Sequence, residues 1–441
     1  MPRYRGMYRM RRDRCMFSLR QLRRRMLCLS WIKAMGWVYV SSVEEQAKNK
    51  TPERKRAFLP SLSSTVQHEF AAQNEEVFLM TEIGRAKELL DTPTLWVDLD
   101  ILDANIALLM GDFRAAGVNW RPHTKGIKIP AIAHKMINAG AIGVTCAKVG
   151  EAEVMAAAGV TDILIANQVV GPQKYARLAA LQRHADVKIA VDNTATLDEL
   201  SAAALEIGVE IPVLVELNVG MNRAGVSPGT AAVALAGKVH EQDGLRLAGL
   251  MAWEGHTLSV EDAEERAEAI KHSIGQLADS VEACRDAGLP VEIVSCGGSG
   301  TMNVTMHQPE VTEIQAGGAI FGDATYQMWG VPTDPALFGQ VVVTSRPAPD
   351  RIVTDAGFKT LPGAERQPLP VALENVVNIS PSAEHGVITL SAPNESVEVG
   401  DVLDFIVGYG DATVFLHDAL YGVRKGVVET VWSISGRGKL R

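Results

Sequence analysis

One lysine and two glycine-rich turns carry the residue types best suited to chemistry in this sequence. Lys125 closes the run Arg121-Pro122-His123-Thr124-Lys125, and the turns read Gly297-Gly298-Ser299-Gly300 and Gly317-Gly318. A primary amine can hold a carbonyl compound covalently if it spends part of its time unprotonated. Desolvation and cationic neighbours, here Arg121 or His123, favour that state. Glycines let backbone N–H groups approach a phosphate with no Cβ in the way. Amine and cradle together suggest a phosphorylated aldehyde held as a Schiff base. Each feature also has a plainer reading: a surface lysine opening a helix, with Lys128 as its neighbouring competitor, and glycines that do no more than turn tightly.

These groups must be brought together by the elements around them. From residue 118 onward, short apolar runs alternate with longer segments of helical spacing, the pattern of βα units on a parallel sheet. Eight such runs occur, at 118–121, 142–145, 163–166, 188–191, 213–217, 247–251, 292–296 and 312–315. Seven precede a helix-length segment. In the segment 260–287, Ile270, Ile274, Leu277, Val281 and Cys284 share one helical face. The count predicts a (β/α)8 barrel of the TIM type rather than an open Rossmann sheet, whose Gly-x-Gly-x-x-Gly turn after the first strand is missing. In such a barrel the carboxyl ends of the strands hold the chemistry, and a phosphate site forms in the loops after strands seven and eight. Both glycine turns fall there, and Lys125 ends the first strand.

After about residue 340 the texture changes to β-type segments punctuated by glycine and proline, a second and mostly β domain. The expected division is a basic extension and linker over 1–80, a barrel over 92–338 and a β-rich domain over 339–441. The apolar segment 94–99 is a strand that can pair with either, and Asp100 caps the helix after it.

The chain has 441 residues and a net charge of −9. Residues 1–40 hold ten arginines and Lys33 against Asp13, a local +10, which leaves −19 on the rest. So acidic a body repels a phosphate backbone and excludes nucleic acid as its partner. The apolar stretch 26–40, broken by Lys33, is too short to span a membrane and makes a poor secretory signal. A misassigned start, with Met80 as initiator, is preferred to an organellar presequence. Five cysteines without Cys-x-x-Cys spacing imply neither a disulfide framework nor a zinc knuckle, and a cytoplasmic body is expected.

With these residues in view, the stretch from Thr92 to Leu440 resembles the fold-type III pyridoxal-phosphate enzymes, in particular the D-threonine aldolase and D-serine dehydratase group. Arg121-Pro122-His123-Thr124-Lys125 resembles the cofactor-lysine motif, which gives that role to Lys125. Thr92-Pro93 and Val97-Asp98 resemble the usual opening. Met221-Asn222-Arg223-Ala224-Gly225 is similar to the segment whose arginine lies near the cofactor's phenolic oxygen. The stretches 295–301 and 313–317 look like the phosphate loop and its neighbour, so the resemblance places Gly297, Gly298, Ser299, Gly300, Gly317 and Gly318 at the cofactor. Asp355-Ala356-Gly357 and Glu384-His385-Gly386 resemble landmarks of the second domain, with His385 near the substrate.

The chain departs from this pattern at the metal. The group binds a divalent ion through a histidine and, two residues on, an aspartate or cysteine. Here Gly408-Tyr409-Gly410-Asp411 puts Tyr409 at the histidine position and keeps Asp411 as the second ligand. A neutral phenol is a poor ligand, so a weakened, replaced or lost metal is expected and Asp411 reads better as a hydrogen-bond acceptor or base.

Pyridoxal phosphate acts as an electron sink for a bond broken at the substrate α-carbon. In an aldolase, His385, Tyr409 or Asp411 would take the β-hydroxyl proton; in a dehydratase or racemase, Lys125 would take the α-proton. The expected function is a lyase acting on a D-β-hydroxy amino acid, working as a homodimer. Its rivals are an amino-acid racemase and a non-catalytic pyridoxal-phosphate carrier, the latter disfavoured because such carriers are barrels without a second domain. His256 reads as satisfying a loop, Trp253 as packing, and His417-Asp418 as an apparent dyad whose side chains point to opposite faces of a strand.

Overall fold

The computed structural model describes residues 81–441. The expectations for residues 1–80 lie outside the described residues. Strand β1 (Thr94–Asp98) leads directly into helix α1 (Leu99–Ala116). Asp98, rather than Asp100, caps this helix, because its carboxylate accepts from the N–H groups of Asp100 and Ile101. Gly117, in the left-handed region at φ 74°, ends it.

The barrel then follows as β2 (Asn119–Trp120), α2 (Pro130–Ala139), β3 (Val144–Cys146), α3 (Val149–Ala157), β4 (Asp162–Gln168), α4 (Pro172–Leu181), β5 (Asp186–Val191) and α5 (Leu197–Ile207). It continues with β6 (Ile211–Leu217), α6 (Thr230–Glu241), β7 (Leu245–Ala252), α7 (Ala263–Asp286), β8 (Ile293–Cys296) and β9 (Glu313–Ile314). The eight strands form one parallel sheet in the order β2-β9-β8-β7-β6-β5-β4-β3. Its ends approach where Ile142 N–H donates to Trp120 O and Thr145 N–H to Pro122 O, each at 2.9 Å, beside a parallel bridge between His123 and Thr145. The expected face of α7 is buried throughout, from Ile270 to Cys284.

Alternate residues of a strand line one face, so β4 can be followed inward and upward. Asp162 sits at the amino end, Leu164 above it, and Ala166 and Gln168 at the carboxyl end. The lowest level is ionic. Arg121, 2% exposed, donates Nε to Glu313 at 2.9 Å and Nη1 to Asp162, while Lys188 Nζ reaches Asp162 at 2.7 Å and Asp186 at 2.8 Å. Over it lies an apolar cluster of Leu164, Ala190, Leu214, Ala248 and Met251. Above that cluster the interior opens.

The second sheet comprises β1, β10 (Leu337–Ala348), β11 (Arg351–Thr354), β12 (Leu369–Pro370), β13 (Val376–Pro381), β14 (Gly386–Leu390), β15 (Val402–Ile406), β16 (Ala419–Arg424) and β17 (Val427–Ser433). Its main path runs β13-β14-β11-β10-β1-β16-β17, with β15 also on β10 and β12 on β15. β1 therefore lies inside this sheet, antiparallel to β10 and parallel to β16, and takes no part in the barrel. Trp96 stacks on Phe338 at 4.4 Å across the β1–β10 pair.

Candidate active site

At the carboxyl ends of the barrel strands is a cavity of about 470 Å³. Lys125, Arg223, Tyr409 and both glycine turns line it, together with Trp253, Tyr326 and Trp329. Lys125 sits in a single 3-10 turn, Thr124–Gly126, where Nδ1 of His123 accepts from its backbone N–H at 3.3 Å. Burial, with Lys125 beside it, pushes His123 well below the ordinary histidine range, so a neutral ring that accepts fits this bond. Lys125 Nζ lies 3.2 Å from Asp411 Oδ2, and Tyr409 Oη donates to the same oxygen at 3.1 Å. Gly126 permits this approach, because a Cβ there would run into the Asp411 carboxylate.

The expected cationic neighbours of Lys125 are a correction. His123 is neutral, and the Arg121 charge is turned into the barrel and satisfied by Glu313 and Asp162. Lys128 is no competitor: two residues beyond that turn, it is buried against Glu151.

The glycine turns are built from below. Glu254, fully buried, accepts from Gly297 N–H at 3.3 Å and from Thr305 Oγ1 at 2.6 Å. Gly298 N–H donates to Thr301 Oγ1, and Ser299 Oγ accepts from Ala319 N–H at 2.9 Å, which ties one turn to the other. Trp120 Nε1 donates to Ala316 O at 2.6 Å and fixes the second turn to β2. Among the described residues, the N–H groups of Ser299, Gly300, Gly317 and Gly318 meet no acceptor, although Ser299, Gly317 and Gly318 are buried. Buried unpaired amides on a cavity wall form an anion cradle. Gly297 spends its amide on Glu254 and Gly298 its own on Thr301, so both shape the cradle instead of lining it with donors.

The reason for glycine also differs from the expected one. A Cβ on Gly298 would enter the Trp253 ring, one on Gly318 the Tyr326 ring, and one on Gly317 the backbone of His123. Close packing of the walls, rather than clearance for a ligand alone, demands these glycines. Trp253 is accordingly a wall of the cavity and not mere packing.

Arg223, 56% exposed, reaches Glu216 at only 3.9 Å, a contact of little energy. Burial raises Glu216, while Gln168 donates to it and Arg223 faces it. Tyr326, Trp329 and Tyr409 meet edge to face, with centroids 5.7, 6.0 and 6.4 Å apart. Burial raises the Tyr326 and Tyr409 hydroxyls, and the charge of Asp411 adds to this.

Two of the expected site residues do not line this cavity: Asp411 stands behind Tyr409 and Lys125, and His385 is remote from it. His385 is exposed in the turn between β13 and β14, where its carbonyl accepts from Ser382 N–H at 2.7 Å, at the edge of the second sheet. His417 bonds Thr360 O at 2.9 Å and Asp418 pairs with Arg437, so the adjacent pair parts as expected. His256 lies against Ser273 and Gly220 outside the cavity lining. Sequence reasoning missed Tyr326, Trp329, Glu254, Glu216 and Gln168. Only the placement of Tyr326 and Trp329 just beyond the second glycine turn hinted at two of them.

The alanine racemase N-terminal domain family matches residues 97–325, and the putative serine dehydratase domain family matches residues 336–423. A D-threonine aldolase from Arthrobacter sp. is 36% identical over 79% of this chain and 93% of its own length. The crystal structure of a D-threonine aldolase from Filomicrobium marinum matches at a TM-score of 0.79 and 36% identity, over 81% of this chain and 99% of that one. A D-threo-3-hydroxyaspartate dehydratase, a cysteine-to-alanine mutant in the metal-free form, matches at a TM-score of 0.72 and 26% identity, over 79% of this chain and 98% of that one. With its barrel, its β-rich second sheet and its lysine at the end of the first barrel strand, the chain belongs to the alanine racemase N-terminal domain family, in the fold-type III branch that carries a serine dehydratase domain.

Proposed function

We propose that this protein is a pyridoxal-phosphate-dependent lyase that cleaves D-β-hydroxy amino acids by a retro-aldol step. The observation that carries the reading is one cavity with an amine at one wall and unpaired backbone amides at another. The residues fit the cofactor: Lys125 would hold its aldehyde carbon, and the amides of Ser299, Gly300, Gly317 and Gly318 its phosphate. Arg223 would lie on the side of its phenolic oxygen. Bound there, pyridoxal phosphate supplies an electron sink for the bond broken at the α-carbon.

The chain's own groups do the rest. Asp411 fixes Lys125 Nζ at 3.2 Å and so sets the position of the amine. Trp253, Tyr326 and Trp329 wall the cavity with aromatic surface and keep water from the reacting carbon. Tyr409, with Tyr326 one of two phenols of the aromatic cluster that line the cavity, would face the substrate's β-substituent. The relatives, named as acting on D-threonine and D-threo-3-hydroxyaspartate, favour the lyase over the racemase. A homodimer belongs to the same proposal, and sedimentation would test it.

The deciding experiment records the visible spectrum of the purified chain with and without borohydride, then assays D-threonine. Irreversible labelling of Lys125, with release of glycine and acetaldehyde, is the expected result. A colourless chain that takes up no pyridoxal phosphate would defeat the reading.

A further inference from the structure

A hydroxyl, a carboxylate and an amine meet at the mouth of the cavity through one oxygen, Asp411 Oδ2. A related dehydratase is described in a metal-free form, which implies a metal in its ordinary form. The corresponding stretch here is Gly408-Tyr409-Gly410-Asp411, and its donor set does not fit a divalent ion. Tyr409 is a neutral phenol whose O–H donates a hydrogen bond to Asp411, and Asp411 is engaged by both Tyr409 and Lys125. Among the described residues, no group of three or more His, Cys, Asp or Glu side chains is placed to hold an ion. Hard divalent cations need several carboxylate, carbonyl or imidazole ligands, and one shared carboxylate beside a protonated phenol does not provide them.

We propose that this chain works without a divalent metal and that the Tyr409 hydroxyl, aimed by Asp411, meets the substrate's β-hydroxyl in the metal's place. The inference rests on the lyase reading. Because Tyr409 Oη donates to Asp411, its lone pairs are what it offers to the cavity, so it accepts from a substrate O–H. As the β-hydroxyl O–H bond breaks, a new O–H bond forms on Tyr409, and the proton Tyr409 held passes to Asp411 Oδ2. The electron pair left on the β-oxygen forms the second carbon–oxygen bond of the departing aldehyde as the Cα–Cβ bond breaks. The pair of that broken bond stays with the α-carbon, which takes up a proton to leave as glycine; bound pyridoxal phosphate would supply the sink for that pair. Asp411 is absent from the cavity lining and serves as a positioning residue and proton acceptor behind Tyr409.

The surroundings hold this pair in place. Gly410 N–H donates to Asp323 Oδ2 at 2.6 Å, and Thr413 Oγ1 donates to Tyr409 O at 2.8 Å. Tyr326 and Trp329 pack edge to face on the Tyr409 ring. The phenol is therefore fixed on both sides, as a group that must meet one substrate atom has to be.

The test uses the full chain with pyridoxal phosphate bound. It measures metal content after growth in manganese-supplemented medium, the heat of titration with MnCl2, and glycine release from D-threonine before and after EDTA dialysis. The expected results are sub-stoichiometric metal, no binding heat and unchanged turnover. Tyr409→Phe should keep the cofactor's absorbance, which shows that it folds, and lose roughly 10²–10⁴-fold in kcat with a smaller change in KM, the scale of general acid–base catalysis. Stoichiometric manganese, or EDTA inactivation reversed by MnCl2, would overturn the proposal, and so would full kcat in Tyr409→Phe. A chain inert toward D-threonine would instead count against the lyase reading, while the metal measurements would still judge the donor set.

Discussion

Replacing Glu313 by glutamine tests whether the ionic floor of the barrel holds the site in place. Arg121 is 2% and Glu313 3% exposed, and Nε of Arg121 lies 2.9 and 3.0 Å from the two carboxylate oxygens. The amide would put an N–H against an N–H and remove one of two counter-charges from a buried guanidinium. Losing one partner of a buried pair costs roughly 3–5 kcal/mol, and because Asp162 stays, about 3 kcal/mol is expected. For a body of about 360 residues, at about 2.1 cal/mol/K of unfolding entropy per residue, that is a fall in Tm of about 4 °C. Urea unfolding of the full chain followed by circular dichroism measures it. The double variant Arg121→Met/Glu313→Gln is the sharper part, because Asp162 then keeps Lys188 at 2.7 Å and no buried charge lacks a partner. It should be more stable than Glu313→Gln alone. If the double costs as much as the two single changes added together, or if Glu313→Gln lies within about 1 kcal/mol of wild type, the reasoning fails.

Gly298→Ala should weaken pyridoxal-phosphate binding by roughly 10–100-fold, since its Cβ enters the Trp253 ring and overpacking costs about 1–3 kcal/mol; spectrophotometric titration reads this. Lys128→Met should lose stability, because it strands the buried Glu151, yet still be labelled at Lys125 by borohydride; peptide mapping decides. Asp323 supplies a pH dependence: burial pushes it up to about 7 even though backbone N–H groups of Gly410, Tyr326 and Thr325 favour its charged form. A carboxyl raised in the fold contributes stability that is present below its unfolded pKa, 3.8, and is lost as pH rises through its folded value, about 7. The stability of wild type relative to Asp323→Asn should therefore fall as pH rises from 3.8 to about 7 and level off above that, and a flat difference in unfolding free energy across this window would refute it.

Periodicity made the barrel legible, and all eight apolar runs overlap its strands. The two that shrink most are β2 and β9, because Arg121, Glu313 and Gln315 turn polar side chains inward where the interior is ionic or open. The sheet to which β1 belongs was not legible, since an apolar strand looks the same whether its neighbours come next or at the far end of the chain. Lys125 and the glycine turns announced themselves because special chemistry and special backbone leave local marks. Arg121 was misread because its partner Glu313 lies 192 residues away, and nothing beside it in the sequence reports that its charge is already satisfied. Glu254, Tyr326 and Trp329 escaped for the same reason: their roles are set by elements that only the fold brings to them.

The position of β1 also bears on how the chain comes to be folded. Trp96 pairs on one side with Phe338 and on the other with Tyr421, so the segment synthesised ahead of the barrel waits for almost the last residues to be made. During synthesis its two backbone edges stay unpaired while the barrel behind it can already close, leaving an apolar strand as an invitation to another chain. Completion of β16 seats that strand in the second sheet, and α1 carries the chain from there into the first barrel strand. A chain stopped before residue 419 would lack β16 and leave one edge of β1, Thr94–Asp98, open in the second sheet while β10 covers the other.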